Sequence, residues 1–190
     1  MQYVIYALIA LSILSIESSA QSIQKPNPIN EYRFKSGTIV CLTDSSWENP
    51  YPCLHIGPIY IGRELEKVIE RFGDPFLHQR SYSDSNMVVS FFKLRSEGNK
   101  QTNLAITTNL FGIIQVIQLT GEIPIKSLSF SSINIGDSEK KVIKILGQPS
   151  ARQPGDRSVH WAFASQSFAF EMVDGKVETI VIWRPLYGRF

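Results

Sequence analysis

The sequence predicts an α+β fold: two tandem helix-plus-antiparallel-meander repeats forming one sheet with the helices on one face. Three observations predict it. Ile59, Ile61, Gly62, Val68, Ile69, Gly73 and Pro75 recur as Ile133, Ile135, Gly136, Val142, Ile143, Gly147 and Pro149, each pair offset by 74 residues. Apolar residues at helical spacing precede each Gly-x-Pro, and strand-like runs follow it. The echoed residues are core and punctuation rather than chemistry, so the pattern describes an architecture before it describes a function.

The expected division is 1–20 signal peptide, 21–55 N-terminal arm and disulfide hairpin, 56–125 first repeat and 126–190 second repeat. The apolar run over 3–16 is fourteen residues, shorter than the roughly 20 that a membrane helix needs. It suits the h-region of a secretory signal, with Ser18, Ser19 and Ala20 as a small-residue cleavage site. Met1 and Gln2 supply no Lys or Arg, and an uncleaved anchor is the rival reading. No Cys stands near the cleavage site, which argues against a lipid anchor. Loss of residues 1–20 removes only Glu17 among charged residues and moves the net charge from +2 to +3. That balance demands neither nucleic acid nor an anionic membrane as partner. An apolar fraction of 43% suffices for a packed interior.

Cys41 and Cys53 are the two cysteines. In an exported chain an even count favours a disulfide, and the turn-rich loop between them lets its ends meet. A metal pair and a redox pair are the alternatives. His55 alone stands close enough to add a zinc ligand, and Cys-x-x-Cys is absent. Residues 21–35 carry two prolines and no period, so they read as an irregular arm. Residues 37–42 look like a strand whose returning partner is 53–56, a hairpin added ahead of the first repeat.

Each repeat opens on a short extended piece, 58–61 or 132–135, and continues into a helix. In the first helix Leu65, Val68, Ile69 and Phe72 form one apolar stripe; in the second Val142, Ile145 and Leu146 do so. Asp137 is placed as N-cap of the second helix, with Glu139 in its positive first turn. Gly73 and Gly147 end the helices, and Pro75 and Pro149 forbid resumption. Three strands follow in each repeat: 87–94, 103–108 and 113–119, then 158–163, 167–172 and 177–183. Asp174-Gly175 is a strong hairpin signal between the last two.

The string Ile-x-Ile-Gly, Val-Ile, Gly-x-Pro and then a meander resembles the SmpA/OmlA (BamE-like) superfamily. The tandem copy resembles the β-lactamase inhibitory protein arrangement within it. The resemblance covers about residues 56–186. It implies an exported, non-catalytic scaffold that binds proteins through the open side of its sheet, either in outer-membrane barrel assembly or in inhibition of β-lactamases. No contact residue is carried over, because the matched positions are structural.

The motifs of hydrolases, zinc proteases and phosphate-binding loops are absent. His55, His78 and His160 are scattered, and nothing in the sequence makes Asp84, Asp156 and Glu171 converge. The expectation is therefore no catalytic residue, no metal and no cofactor. The aromatic residues on or beside the strands mostly suit a core under the helices. Phe91 and Phe92 are adjacent and must point to opposite faces. The candidate partner-binding set is Tyr82, Phe91, Phe92, Trp161, Trp183 and Arg152, an aromatic patch on the open face with arginines at its rim. The expected partner is an envelope or secreted protein rather than nucleic acid, with membrane contact only if the N-terminal segment stays uncleaved. The rival expectation is an envelope enzyme or enzyme subunit with a site in the crevice between the repeats.

Overall fold

The structure, a computed structural model, describes residues 32–35, 38–46, 50–81 and 84–185. The expected signal segment, residues 21–31 of the arm, Tyr82 and the tail from 186 lie outside the described residues. In chain order come β1 (Tyr32–Lys35), β2 (Thr38–Cys41), β3 (His55–Ile56), β4 (Ile59–Tyr60) and α1 (Glu66–Phe72). Then follow β5 (Leu77–Arg80), β6 (Met87–Glu97), β7 (Lys100–Asn109) and β8 (Ile114–Gly121). The rest is α2 (Glu139–Leu146), β9 (Ala151–Pro154), β10 (Ser158–Phe163), β11 (Phe168–Val173) and β12 (Lys176–Trp183).

Eight strands make one antiparallel sheet in the order β5-β6-β7-β8-β12-β11-β10-β9. The fold is thus α+β, mostly β with two short helices. Each helix is followed by four strands, one more than the three that the sequence predicts. The extra strands, β5 and β9, read Leu-His-Gln-Arg and Ala-Arg-Gln-Pro. They lie at the sheet edges, where one face of pairing suffices and no apolar alternation is required. The six other strands match the sequence reading to within a few residues.

Alternation sorts the sheet into two faces. Leu104 and Ile106 of β7, Ile117 and Leu119 of β8, Ile180 and Ile182 of β12, and Phe168 and Phe170 of β11 are fully buried. They form one core with Val68 of α1 and with Val142 and Leu146 of α2. Backbone bonds recur in the two halves. Gly62 donates to Ile114 as Gly136 donates to Val177, Ile114 donates to Arg63 as Val177 donates to Asp137, and Leu65 donates to Gly112 as Glu139 donates to Gly175.

The helix ends follow the same scheme, with one correction. The N-cap of α2 is Ser138, whose Oγ accepts from the Lys141 amide at 3.4 Å. Asp137 instead accepts from the Asn134 amide and the Lys141 ammonium, both at 2.7 Å. Gly73 and Gly147 donate to Ile69 and Ile143, at φ 80° and 76° with extended ψ. That region of backbone space is essentially glycine-only.

The N-terminal hairpins differ from the expected one. β2 pairs with β1, not with 53–56, and β3 pairs with β4. The Cys41–Cys53 disulfide joins the two hairpins and suits an oxidising, extracytoplasmic compartment. Residues 32–35 form a strand because Tyr32 finds burial: its ring meets Phe130 and Phe168, and its amide donates to Ser131 Oγ at 2.9 Å. Burial raises the Tyr32 phenol to about 12. Phe34 lies over Gly147, where an added Cβ would stand 2.6 Å from its ring; Gly73 has open space at the corresponding point.

Two outcomes are expected. Replacing Cys41 and Cys53 by serine lowers unfolding free energy in urea by about 3 kcal/mol, the chain-entropy value for so short a loop. Gly73→Ala costs about 1–3 kcal/mol of backbone strain. Gly147→Ala costs more, and its excess over Gly73→Ala disappears in a Phe34→Ala background, as urea titrations of the wild type, the three single variants and the Phe34→Ala/Gly147→Ala double variant will read.

Candidate functional site

The face of the sheet opposite the helices is the candidate site. Strand register lays its side chains in three rows running across the strands. The middle row is Leu77, Phe91, Ala105, Gln118, Val181, Ala169, Ala162 and Ala151. It is bulky on the β5–β6 side and floored by three alanines on the β9–β11 side. One flanking row is Val89, Thr107, Val116 and Trp183. The other is polar: Lys93, Asn103, Thr120, Thr179, Glu171 and His160. None of the apolar side chains in these rows belongs to the core.

The polar row is wired by hydrogen bonds. Thr179 Oγ1 lies 3.1 Å from Glu171 Oε2 and 3.2 Å from Thr120 Oγ1, and Gln118 Nε2 donates to Thr120 Oγ1 at 3.1 Å. His160 Nε2 stands 3.9 Å from Glu171. These bonds cross from β8 through β12 to β11, so they fix side-chain positions on the open face across the seam between the two halves.

The sequence-predicted candidates separate. Phe91 and Trp183 are on the open face, half-buried. Phe92 and Trp161 are in the core, each 2% exposed. Phe92 faces Leu104, and Trp161 faces Phe170, so pairing register assigns both to the helix side. Arg152 is also on that side. Its guanidinium lies 4.4 Å from the Trp161 ring centroid, 2.8 Å from Gln148 Oε1 and 3.3 Å from Glu139, closing the core rather than rimming the open face. Sequence reasoning missed Lys93, Glu171 and the alanine floor. The available signal was alternation: residues between buried aromatics in β10 and β11 must face the other way.

The histidines stay apart. His55 bonds the Gly57 carbonyl at 2.7 Å, and His78 bonds Ser90 Oγ at 2.7 Å. Asp84 and Asp156 lie in the β5–β6 and β9–β10 turns, at opposite edges of the sheet, with Glu171 near neither edge. Among the described residues, no group of three His, Cys, Asp or Glu is arranged to hold a metal, and no helix is long and apolar enough to cross a membrane.

A cavity of about 360 Å³ opens at one end of the seam, lined by Lys100, Glu122, Asp174, Lys176 and Glu178 among others. Glu178 is the extra residue of a bulge in β12. Burial raises its carboxyl pKa, and the charges of Glu171, Glu122 and Asp174 raise it further.

No protein-family model matches the chain, and no curated protein does. Among solved structures, the chain is similar to a DUF4309 family protein (YjgB) from Bacillus subtilis. The identity is 13% and the TM-score 0.41, over 66% of this chain and 82% of that one.

Glu178 yields a pH test. A raised folded-state pKa means that the folded protein holds this proton more tightly than the unfolded chain. Its contribution is fully present below about pH 4.5 and is lost as pH rises through the folded value. Glu178→Gln therefore raises the urea midpoint at pH 7 and leaves it unchanged at pH 3.

Proposed function

We propose that the chain is an exported, non-catalytic binding module of the periplasm or extracellular space, and that it docks a protein partner on the open face of its sheet. One observation carries the reading. An ordered face of half-buried apolar side chains, including Phe91 and Trp183, lies opposite the helix-covered core and is bordered by a fixed polar row. Aromatic anchors flanked by hydrogen-bonding groups are what protein interfaces use. The disulfide supports export. The recurring backbone bonds support a unit built twice, the arrangement expected of the SmpA/OmlA-like resemblance.

A second reading, an envelope enzyme or enzyme subunit, draws on the cavity at the seam and on the raised carboxyl of Glu178. The binding reading is stronger, because the acids there perturb one another and the Thr179 hydroxyl and His160, which stand beside Glu171, belong to the polar row of the open face rather than to the cavity lining.

The test is affinity capture from extracts of the exporting cells with the mature protein as bait. Phe91→Ala with Trp183→Ala is expected to lose the captured partner while retaining the wild-type unfolding midpoint within a few degrees, as surface truncations do. Undiminished capture by that variant would remove the open face from consideration. Loss of capture by Glu178→Gln alone would favour the cavity instead.

A further inference from the structure

The two ends of the open face differ from each other in size and in charge. Counting strands outward from β8, β6 is two places to one side and β11 two places to the other; β5 and β10 are each three places away. The middle row carries Phe91 on β6 and Ala169 on β11, then Leu77 on β5 and Ala162 on β10. The polar row carries Lys93 on β6 and Glu171 on β11. At equal distances from β8, large therefore stands opposite small and positive opposite negative.

A surface with that property complements itself. A two-fold axis running close to the direction of β8, between two sheets facing one another, keeps each row over its counterpart and exchanges left for right. It lays Phe91 against Ala169 of the second copy, Leu77 against its Ala162, and Lys93 against its Glu171, with each contact made twice. The other in-plane axis, across the strands, would put the polar row against the apolar flanking row and leave Lys93 and Glu171 without opposite charges. Glu171 acts with its charge on Glu178, itself the neighbour of Glu122 and Asp174, so an incoming ammonium relieves like-charge repulsion there. Facing sheets pack about 10 Å apart with their strands within about 30° of alignment, a separation that these side chains bridge. The face measures roughly 700 Å² from strand and row spacings, close to the ~800 Å² per partner of a stable interface.

We propose that the occupant of the open face is a second copy of this chain, packed face to face about a two-fold axis along β8. This rests on the open face being a docking surface, and it names the partner. The interface is isologous: each protomer offers its bulky, basic side to the other's alanine-floored, acidic side.

Sedimentation velocity on the mature, disulfide-intact protein over about 1–100 µM, within the affinity range of interfaces this size, is expected to show a dimer. Lys93→Glu and Glu171→Lys each weaken dimerisation by about tenfold or more, the scale of a lost interfacial charge pair. The double variant K93E/E171K returns it to within about threefold of wild type, because the pair is restored with its signs exchanged. Ala169→Trp, which fills the site facing Phe91, gives a monomer with an unchanged far-ultraviolet spectrum. A monomer at every concentration, or a dimer indifferent to all four variants, overturns the proposal. A wild-type monomer whose capture of a different protein still depends on Phe91 and Trp183 rejects the second copy and leaves the docking surface standing. A monomer whose capture is also indifferent to those residues removes both.

Discussion

The pairing of β8 with β12 is the contact on which the molecule depends. Five residue pairs, from Thr179 opposite Thr120 to Trp183 opposite Val116, join the last strand of one half to the last strand of the other. Beneath them Ile117, Leu119, Ile180 and Ile182 are fully buried, which makes the seam the centre of the core rather than a hinge between domains. A four-stranded meander with one short helix covers little apolar surface alone. Joining two edge to edge removes two exposed strand edges and lets both helices cover one continuous apolar layer. The opposite face then follows without further cause: alternation obliges every strand to present its other side chains there.

The same seam organises the polar chemistry. Thr120, Thr179 and Glu171 come from three adjacent strands, and their hydrogen bonds require the β8–β12 register to hold within one residue. The bulge that admits Glu178 lies beside it and crowds four acids into the end of the seam. The edges are less demanding. β9 is exposed throughout and ends in Pro154, which blunts further strand addition, whereas β5 carries Leu77 and follows the exposed Phe76.

Much of the architecture was legible because it is written in residues with few alternatives. Gly73 and Gly147 need a backbone that other residues resist, and the 74-residue echo exposed both at once. Asp174 and Gly175 take positive φ in the β11–β12 turn, as a two-residue hairpin requires. β1, β5 and β9 were not legible, since each is held by what it lies against rather than by its own pattern. Tyr32 makes β1 a strand through Phe130 and Phe168, residues far away in sequence. For the site, the adjacency of Phe91 and Phe92 identified one open-face aromatic and one core aromatic without saying which was which. Trp161 alternates in step with Val159 and Phe163, but that phase does not say which face is covered; pairing with Phe170 seals it inside. Alanines carry no such signal, and they became informative only when register set them beside one another.

The N-terminal hairpin extends this dependence from space into time. Tyr32 is separated by 99 residues from the serine that its amide binds, and its ring rests partly on β11, near the far end of the chain. Loop closure over such spans is slow compared with the pairing of neighbouring strands. β1 and β2 therefore take their place against residues about a hundred or more positions away, whereas the Cys41–Cys53 link closes over a separation of only 12. The strands that begin the described chain are thus the ones whose docking demands the longest closure, and the disulfide supplies the short one.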